Sequence, residues 1–394
     1  MNQKIVFFLI ALFIFLPAKT LFSQDKFIRV KILSRYALDE VQVFSNLGKI
    51  KIWNEKGQGS ELFLPAEAPI FLQVKKDQLQ LILDNNIHRL KNIQIIPPRG
   101  SFIKIKASSL EKKFFGVIHV RIQQGHLSFI EEIPLEDYVQ GVLEAEMPNG
   151  FGTEALKAQA ILIRTYAFRN ENRHGLEGFD LCDLTHCQVY AGRSLNYVSH
   201  AEAVRATRGV MLAYNLMPAE VFYHSTCGGH TSAANEVFGG ASFDYLKGVD
   251  DQKYCVRSPH SHWENVIPLS FLNEIFKKEK SIKLSGDLKF VSIAQKEKEG
   301  DRVTQIAFDA KNHVVISAQL FLSLVGKSLG WSSIKSAYFE LEQKGDQIYF
   351  KGKGLGHGVG FCQWGAKGLA EEGKKFEEIL KYYFPGTQLI QRNL

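Results

Sequence analysis

The chain has 394 residues, 45% of them hydrophobic and 23% charged, with a formal net charge of +7. That length exceeds one usual core, so two or three packed units are expected. The charges are scattered, with no Lys/Arg blocks interleaved with aromatics, which argues against nucleic acid as a partner; the mild positive excess suits an anionic polymer.

At the N-terminus, Lys4 precedes an apolar run from Ile5 to Leu16, followed by Pro17, Lys19 and the small Ser23. This reads as a secretory leader over residues 1–23. A run of about twelve residues is short for a helix crossing a bilayer of roughly 30 Å; a retained N-terminal anchor is the alternative. Cleavage would remove two lysines and no acid. No later stretch is apolar enough to span, so the mature chain is expected outside the cytoplasm, in the periplasm or cell-wall space. Export permits disulfides among Cys182, Cys187, Cys227, Cys255 and Cys362, and the odd count leaves at least one thiol or metal ligand over.

Residues 24–130 alternate in the strand manner, at 27–32, 41–43, 50–53, 102–105 and 116–122, punctuated by Gly, Asn and Pro. A small antiparallel β unit follows, with a packing or wall-contact role. At Ile133 the period changes to about 3.6. Pro134 suits a first helical position, Glu136 and Asp137 complement the dipole, and Leu135, Tyr138, Val139, Val142 and Leu143 share a face. Met147-Pro148 ends this helix. A second helix from Thr153, a candidate N-cap, to Phe168 is apolar nearly all round and expected to be central. A third helix, 197–207, precedes strands at 210–214 and 221–224. Within 266–350, helices at 269–278 and 318–325 alternate with strands at 290–293, 304–308 and 338–341. The chain closes with a Gly-rich loop, 352–360, and a helix beginning near Trp364.

Glu146 carries the first chemical signal. It lies four residues after Val142 and three after Leu143, so it extends the apolar stripe rather than the charged face. Partial desolvation there would raise its pKa and keep a proton available for acid catalysis. The alternative is a last-turn carboxylate turning into solvent. Gln159 and Arg164 interrupt the dry second helix; the guanidinium needs a carboxylate, sugar oxygens or backbone carbonyls. Cys182, His186 and Cys187, with His174 upstream, have the ligand density of a zinc site, or the two cysteines pair. His224, Cys227 and His230 form a second group, although strand alternation would set His224 and Cys227 on opposite faces. A Cys227–Cys255 disulfide is the competing expectation. The glycines around His357 let backbone approach a ligand closely or make a tight inter-domain turn. His357, Gln363 and Trp364 suit a sugar, through a ring to stack on and polar groups for hydroxyls.

Four segments carry a family resemblance. Pro134-Leu135-Glu136-Asp137-Tyr138 through Glu144-Ala145-Glu146-Met147-Pro148 resembles the signature of the stage II sporulation protein D family. So do Leu156-Lys157-Ala158-Gln159-Ala160 with Arg164-Thr165-Tyr166-Ala167, His224-Ser225-Thr226-Cys227-Gly228-Gly229, and Gly356-His357-Gly358-Val359-Gly360 with Gln363-Trp364-Gly365-Ala366. The resemblance implies an α+β architecture: a β-rich unit at 24–130, a catalytic core at 131–265, an inserted α/β segment at 266–350 and completion of the core by 351–394. It implies a peptidoglycan lytic transglycosylase, with Glu146 as the single acid and base cutting the MurNAc–GlcNAc bond. Gln159, Arg164, Tyr166, Ser225, Thr226, His357, Gln363 and Trp364 are then the substrate-side candidates. No cofactor is needed for that chemistry; a structural zinc at Cys182, His186 and Cys187 resembles one bound by some relatives. Cys362 departs from the serine common before Gln-Trp-Gly-Ala. Glycan strands are the implied partner, and a cell-wall amidase the second. The rival readings are a non-catalytic enhancer of an N-acetylmuramoyl-L-alanine amidase and a zinc hydrolase.

Overall fold

The computed structural model describes residues 25–47, 49–54, 59–63, 68–83, 86–194, 196–279, 281–298 and 300–393. The expected leader at 1–23 lies outside them, and no helix among the described residues is long and apolar enough to cross a membrane. The chain is α+β.

Alternation dictates the N-terminal part. In Phe27–Ile32 the residues Ile28, Val30 and Ile32 turn inward while Arg29 and Lys31 face out, as period-two pleating requires. This strand belongs to a seven-stranded sheet ordered Leu181–Cys182, Phe27–Ile32, His126–Pro134, Val117–Gln123, Asn92–Ile96, Lys49–Asn54 and Gly59–Phe63. A six-stranded sheet runs Leu110–Phe114, Ile103–Ala107, Glu40–Ser45, Ile70–Lys75, Gln78–Leu83 and Asn86–Leu90. Inward residues of both, among them Val30, Val43, Ile95 and Ile105, join one buried core that continues into the helices. The β-rich part is thus larger than the few strands foreseen. It also runs past residue 130: His126–Pro134 is one strand that delivers the chain into the first helix.

The helices are α1 (Leu135–Glu146), α2 (Thr153–Arg169), α3 (Val198–Ala206), α4 (Ala234–Phe238), α5 (Gln252–Cys255), α6 (Leu269–Lys278), α7 (Ala318–Leu329), α8 (Gln363–Glu371) and α9 (Phe376–Tyr383). Pro134 is the N-cap of α1 rather than its first helical residue, because its ψ of 137° is still extended. Gly152, not Thr153, caps α2. Apart from Lys157, helix α2 is buried from Ala155 through Ala167 and is packed against α1, α3, α8 and α9, as its all-round apolarity predicts. Mid-helix Gly141 has a packing reason: a Cβ there would meet the Tyr190 ring at 2.5 Å and Gly192 O at 2.8 Å.

Residues 263–352 build a separate apolar core from α6, α7 and two three-stranded sheets. Trp263–Pro268 pairs antiparallel with Gln347–Gly352, with Trp263 opposite Gly352, so the chain enters and leaves side by side. The returning chain then forms Phe361–Cys362, which pairs in parallel with Tyr223–His224. Only these two residues of the expected 221–224 strand are laddered. That short pairing brings two distant motifs together beside the end of α1.

Candidate functional site

Glu146 is the last residue of α1 and is half-buried, following the fully buried Val142 and Leu143 and preceding the fully buried Met147. The turn after it is fixed, not frayed: Met147 N–H donates to Leu143 O at 3.0 Å, and the buried His200 of α3 bonds Met147 O at 2.6 Å through Nε2. The carboxyl therefore cannot turn freely into solvent.

Among the described residues, both hydrogen bonds to Glu146 fall on Oε1. Val189 N–H donates at 3.1 Å and the Tyr223 hydroxyl at 3.4 Å. Behind Tyr223, Gln188 Nε2 donates to the Tyr223 hydroxyl at 3.1 Å, and the buried Tyr138 hydroxyl donates to Gln188 Oε1 at 3.2 Å. Every proton in the chain Tyr138–Gln188–Tyr223 points toward Glu146, and burial holds both phenol pKa values well above normal, so both remain donors. Burial is also the largest influence on Glu146 and raises its pKa; the Val189 and Tyr223 donors and the neighbouring Gln363 amide partly offset it. The Gln363 NH2 group itself is buried without a hydrogen-bond partner, so its influence on Glu146 acts at longer range than a formed bond.

The other acids of α1 are committed elsewhere. Glu136 grips Arg164, Asp137 bonds Arg193 at 2.5 Å, and Glu144 accepts from Gln140 and Ser194 N–H. No hydrogen bond among the described residues links Glu146 to a second carboxylate.

Of the residues assigned to substrate from sequence, His357, Gln363, Trp364 and Ser225 gather on the Tyr223 side of Glu146. His357 Nε2 bonds Tyr223 O at 3.0 Å while its Nδ1 accepts from Val359 N–H at 3.0 Å. Accepting at Nδ1 requires the proton on Nε2, and burial lowers this histidine's pKa to about 4, so it is a neutral brace for Tyr223. Trp364 is half-buried, its backbone N–H donates to Ser225 O, Phe151 meets its ring edge-on at 5.6 Å, and the Lys367 ammonium sits 4.8 Å from the ring centre.

Other candidates are taken up by the protein's own packing. Arg164 is fully buried and spends its guanidinium on both Glu136 oxygens, at 2.8 and 2.6 Å, and on Val210 O at 2.9 Å; it is the buried ion pair the lone arginine required, with no face for a sugar. Gln159 is sealed inside α2, its amide atoms without a hydrogen-bond partner among the described residues. Thr226 is buried against Ser258 Oγ at 2.6 Å. Tyr166 accepts from Arg173 and lies near Cys187 and Cys182 and also near Tyr223, so the cysteine cluster and the Tyr223 side of Glu146 share it. The glycine loop is packed in the same way. Gly356 and Gly358 have φ of +103° and +79°, and added Cβ atoms would strike His224 and Arg302; the glycines accommodate the protein's own packing.

His174 Nε2, Cys182 Sγ, His186 Nδ1 and Cys187 Sγ lie within 4.8 Å of one another. His174 completes the set begun by Cys182, His186 and Cys187, and its Nδ1 bonds Glu177 at 2.7 Å, leaving Nε2 inward. Hydrogen bonding from the Cys187 thiol pulls the Cys182 thiol down to about 4. The expected group of His224, Cys227 and His230 does not form. His224 bonds Val359 O, and Cys227 meets Asp251, Cys255 and Cys362 instead. The cavity of about 600 Å³ lined by Asn235, Phe238, Glu297 and Thr304 includes none of the Glu146 cluster.

Sequence reasoning missed Gln188, Val189, Tyr223 and His200. Gln188 and Val189 directly follow His186-Cys187 and Tyr223 directly precedes His224, which was their one signal; His200, inside α3, had none.

Residues 123–214 match the family model described as stage II sporulation protein. The stage II sporulation protein D of Bacillus subtilis (strain 168) is 33% identical over 288 residues, which span 66% of this chain and 76% of that protein. An uncharacterised protein of Brachyspira hyodysenteriae (strain ATCC 49526 / WA1) is 35% identical over 272 residues, 67% of this chain and 68% of it. A B. subtilis protein named amidase enhancer is 29% identical over 289 residues, 64% of this chain but 40% of its own length.

Proposed function

Starting from a chain that belongs to the stage II sporulation protein D family, we propose that it is an exported, cell-wall-acting lytic transglycosylase that cuts peptidoglycan between N-acetylmuramic acid and N-acetylglucosamine. The observation that carries this reading is Glu146: one carboxyl of raised pKa, held at Oε1 by Val189 and Tyr223, with the neighbouring acids bonded elsewhere. An ordinary glycosidase works with two carboxyl groups flanking the bond. A lytic enzyme needs one.

In this scheme protonated Glu146 gives its proton to the glycosidic oxygen as the bond to the muramic acid C1 breaks. The C6 hydroxyl of the same sugar closes on C1, and its proton passes to the Glu146 carboxylate, restoring the acid. Tyr223 and Val189 stabilise the carboxylate between the two transfers. Trp364 supplies a ring face and Gln363 an amide for sugar hydroxyls. The phenol–amide–phenol chain keeps the reacting oxygen in one place.

The donors His174, Cys182, His186 and Cys187 fit zinc. Two thiols and two imidazoles make a closed tetrahedral set of the structural kind, and Glu177 on His174 is the outer carboxylate such a histidine favours. Zinc there would supply folding energy and no chemistry; it would anchor the segment whose next residues, Gln188 and Val189, reach Glu146. Amidase enhancement is the second reading, favoured by the named relative of similar sequence.

Digestion of purified peptidoglycan, intact and stripped of stem peptides, followed by mass spectrometry, tests the proposal. New 1,6-anhydro ends with the unaltered chain and none with Glu146→Gln support it. Enhancement of an amidase that survives Glu146→Gln, without such ends, favours the second reading.

A further inference from the structure

A second cluster lies behind the site. Asp251 is the N-cap of α5 and Cys255 its last residue, so a single turn presents both side chains on one side. Cys227 ends the Tyr223–Thr226 segment, and Cys362 is the N-cap of α8. The Sγ atoms of Cys227, Cys255 and Cys362 and a carboxylate oxygen of Asp251 lie within 4.8 Å of one another, all four residues being buried. Cys227 Sγ is 3.5 Å from Cys255 Sγ and 3.1 Å from Asp251 Oδ2. Zinc bonds of about 2.3 Å to sulfur and roughly 2.0–2.2 Å to oxygen give a tetrahedron with edges of about 3.5–3.8 Å.

We propose that Cys227, Asp251, Cys255 and Cys362 form a buried structural zinc site that ties the Tyr223–Cys227 segment to the start of α8. A Cys227–Cys255 disulfide would use two of these groups and leave the Cys362 thiol and the Asp251 carboxyl buried without a cation. Backbone donors point at two of the sulfurs. Cys362 Sγ accepts N–H bonds from Cys227 and Gly365, each at 3.3 Å, and Cys227 Sγ accepts from Gly229 at 3.4 Å. Such donors stabilise an ionised sulfur. Asp251 is aimed by the Tyr383 hydroxyl, 2.8 Å from Oδ1, and by the missing side chain of Gly365, whose Cβ would fall on both carboxylate oxygens. The nearby buried Arg302 does not substitute for a cation on the thiols, since it donates to Ser232 Oγ and to the carbonyls of Cys227 and His230. Three thiolates and a carboxylate around Zn²⁺ leave a net charge of −2, which this guanidinium and the N-terminus of α8 offset. Because the ligands come from three separate segments, the metal would bind as they assemble, and its binding energy would count toward folding. It would fix the backbone carrying Tyr223 and Gln363 beside Glu146.

The inference is independent of the catalytic reading and of the His174 cluster. The full chain, purified without chelator, is examined by X-ray absorption at the zinc edge and by intact mass under non-reducing conditions. More than two sulfur neighbours per zinc is the expected result whether or not the His174 cluster is loaded, because that cluster offers only two. Two or fewer sulfurs overturn the proposal, as does a Cys227–Cys255 cross-linked peptide in the native chain. On a Cys182→Ser/Cys187→Ser background, one zinc per chain is expected, falling at least fivefold with Cys362→Ser. If these variants do not fold, the sulfur count on the unaltered chain decides.

Discussion

Removing the Tyr223 hydroxyl separates the orientation of Glu146 from its chemistry. In Tyr223→Phe, Oε1 keeps the Val189 N–H at 3.1 Å but loses the phenol at 3.4 Å, and Gln188 Nε2 loses its acceptor. Hydrogen bonds to charged groups contribute roughly 1.5–3 kcal/mol. At 3.4 Å, longer than the usual hydroxyl contact of about 2.7–2.8 Å, about 1 kcal/mol is expected. That corresponds to about fivefold in kcat/KM for glycan cleavage. The phenol favours the ionised carboxyl, so its loss raises the Glu146 pKa further, and the fall in rate with rising pH moves to higher pH. The buried, unpaired Gln188 amide costs about 1–3 kcal/mol of stability. Release of anhydro-muropeptides from soluble glycan strands, followed across pH, reads both effects. A rate within twofold of the unaltered chain together with an unmoved pH profile would refute the role given to the Tyr138–Gln188–Tyr223 chain.

Other consequences are as direct. Glu131 is fully buried, accepts from Phe115 N–H, Gly116 N–H and the Tyr190 hydroxyl, and is raised by burial to about 7 from 4.5. Its folded pKa exceeds its unfolded one, so its stability contribution is complete below about pH 4.5 and is lost as pH rises through about 7, by at most about 3 kcal/mol. Denaturation of Glu131→Gln from pH 5 to 9 is predicted to lack that decline; an unchanged slope would contradict it. Arg164→Ala leaves Glu136 without its cation and is expected to cost about 3–5 kcal/mol in urea unfolding. KM should hold in the folded fraction, and a raised KM at full stability would return Arg164 to the substrate. If zinc fills the His174 cluster as proposed, Cys182→Ser should remove one metal equivalent and lower the melting temperature, with residual glycan cleavage surviving. Complete loss of turnover in a folded, metal-free chain would point to zinc chemistry instead.

How far the sequence could be read follows from the range of each interaction. The 3.6-residue period placed Glu146 on the buried stripe of α1, and the helices α1, α2, α3 and α6 follow from the same local rule. Tyr223 lies 77 residues from Glu146, and only the two-residue pairing of Tyr223–His224 with Phe361–Cys362 sets it there. No local pattern reports a contact of that kind. Arg164 was recognisable as a charge needing a partner, but its partner lay on a neighbouring helix. The glycines of 354–360 signalled close approach correctly and misled about what approaches, since His224 and Arg302 fill the space. Asn86–Leu90 escaped notice because it is an exposed edge strand with almost no buried side.

The most direct measurement of the central claim is glycan digestion in oxygen-18-labelled water. If the C6 hydroxyl closes on C1 and gives its proton to Glu146, the new muramic acid ends lack the elements of water and carry no label. Reducing ends bearing oxygen-18 would show that water, not the sugar's own hydroxyl, attacks, and the one-carboxylate mechanism would fail.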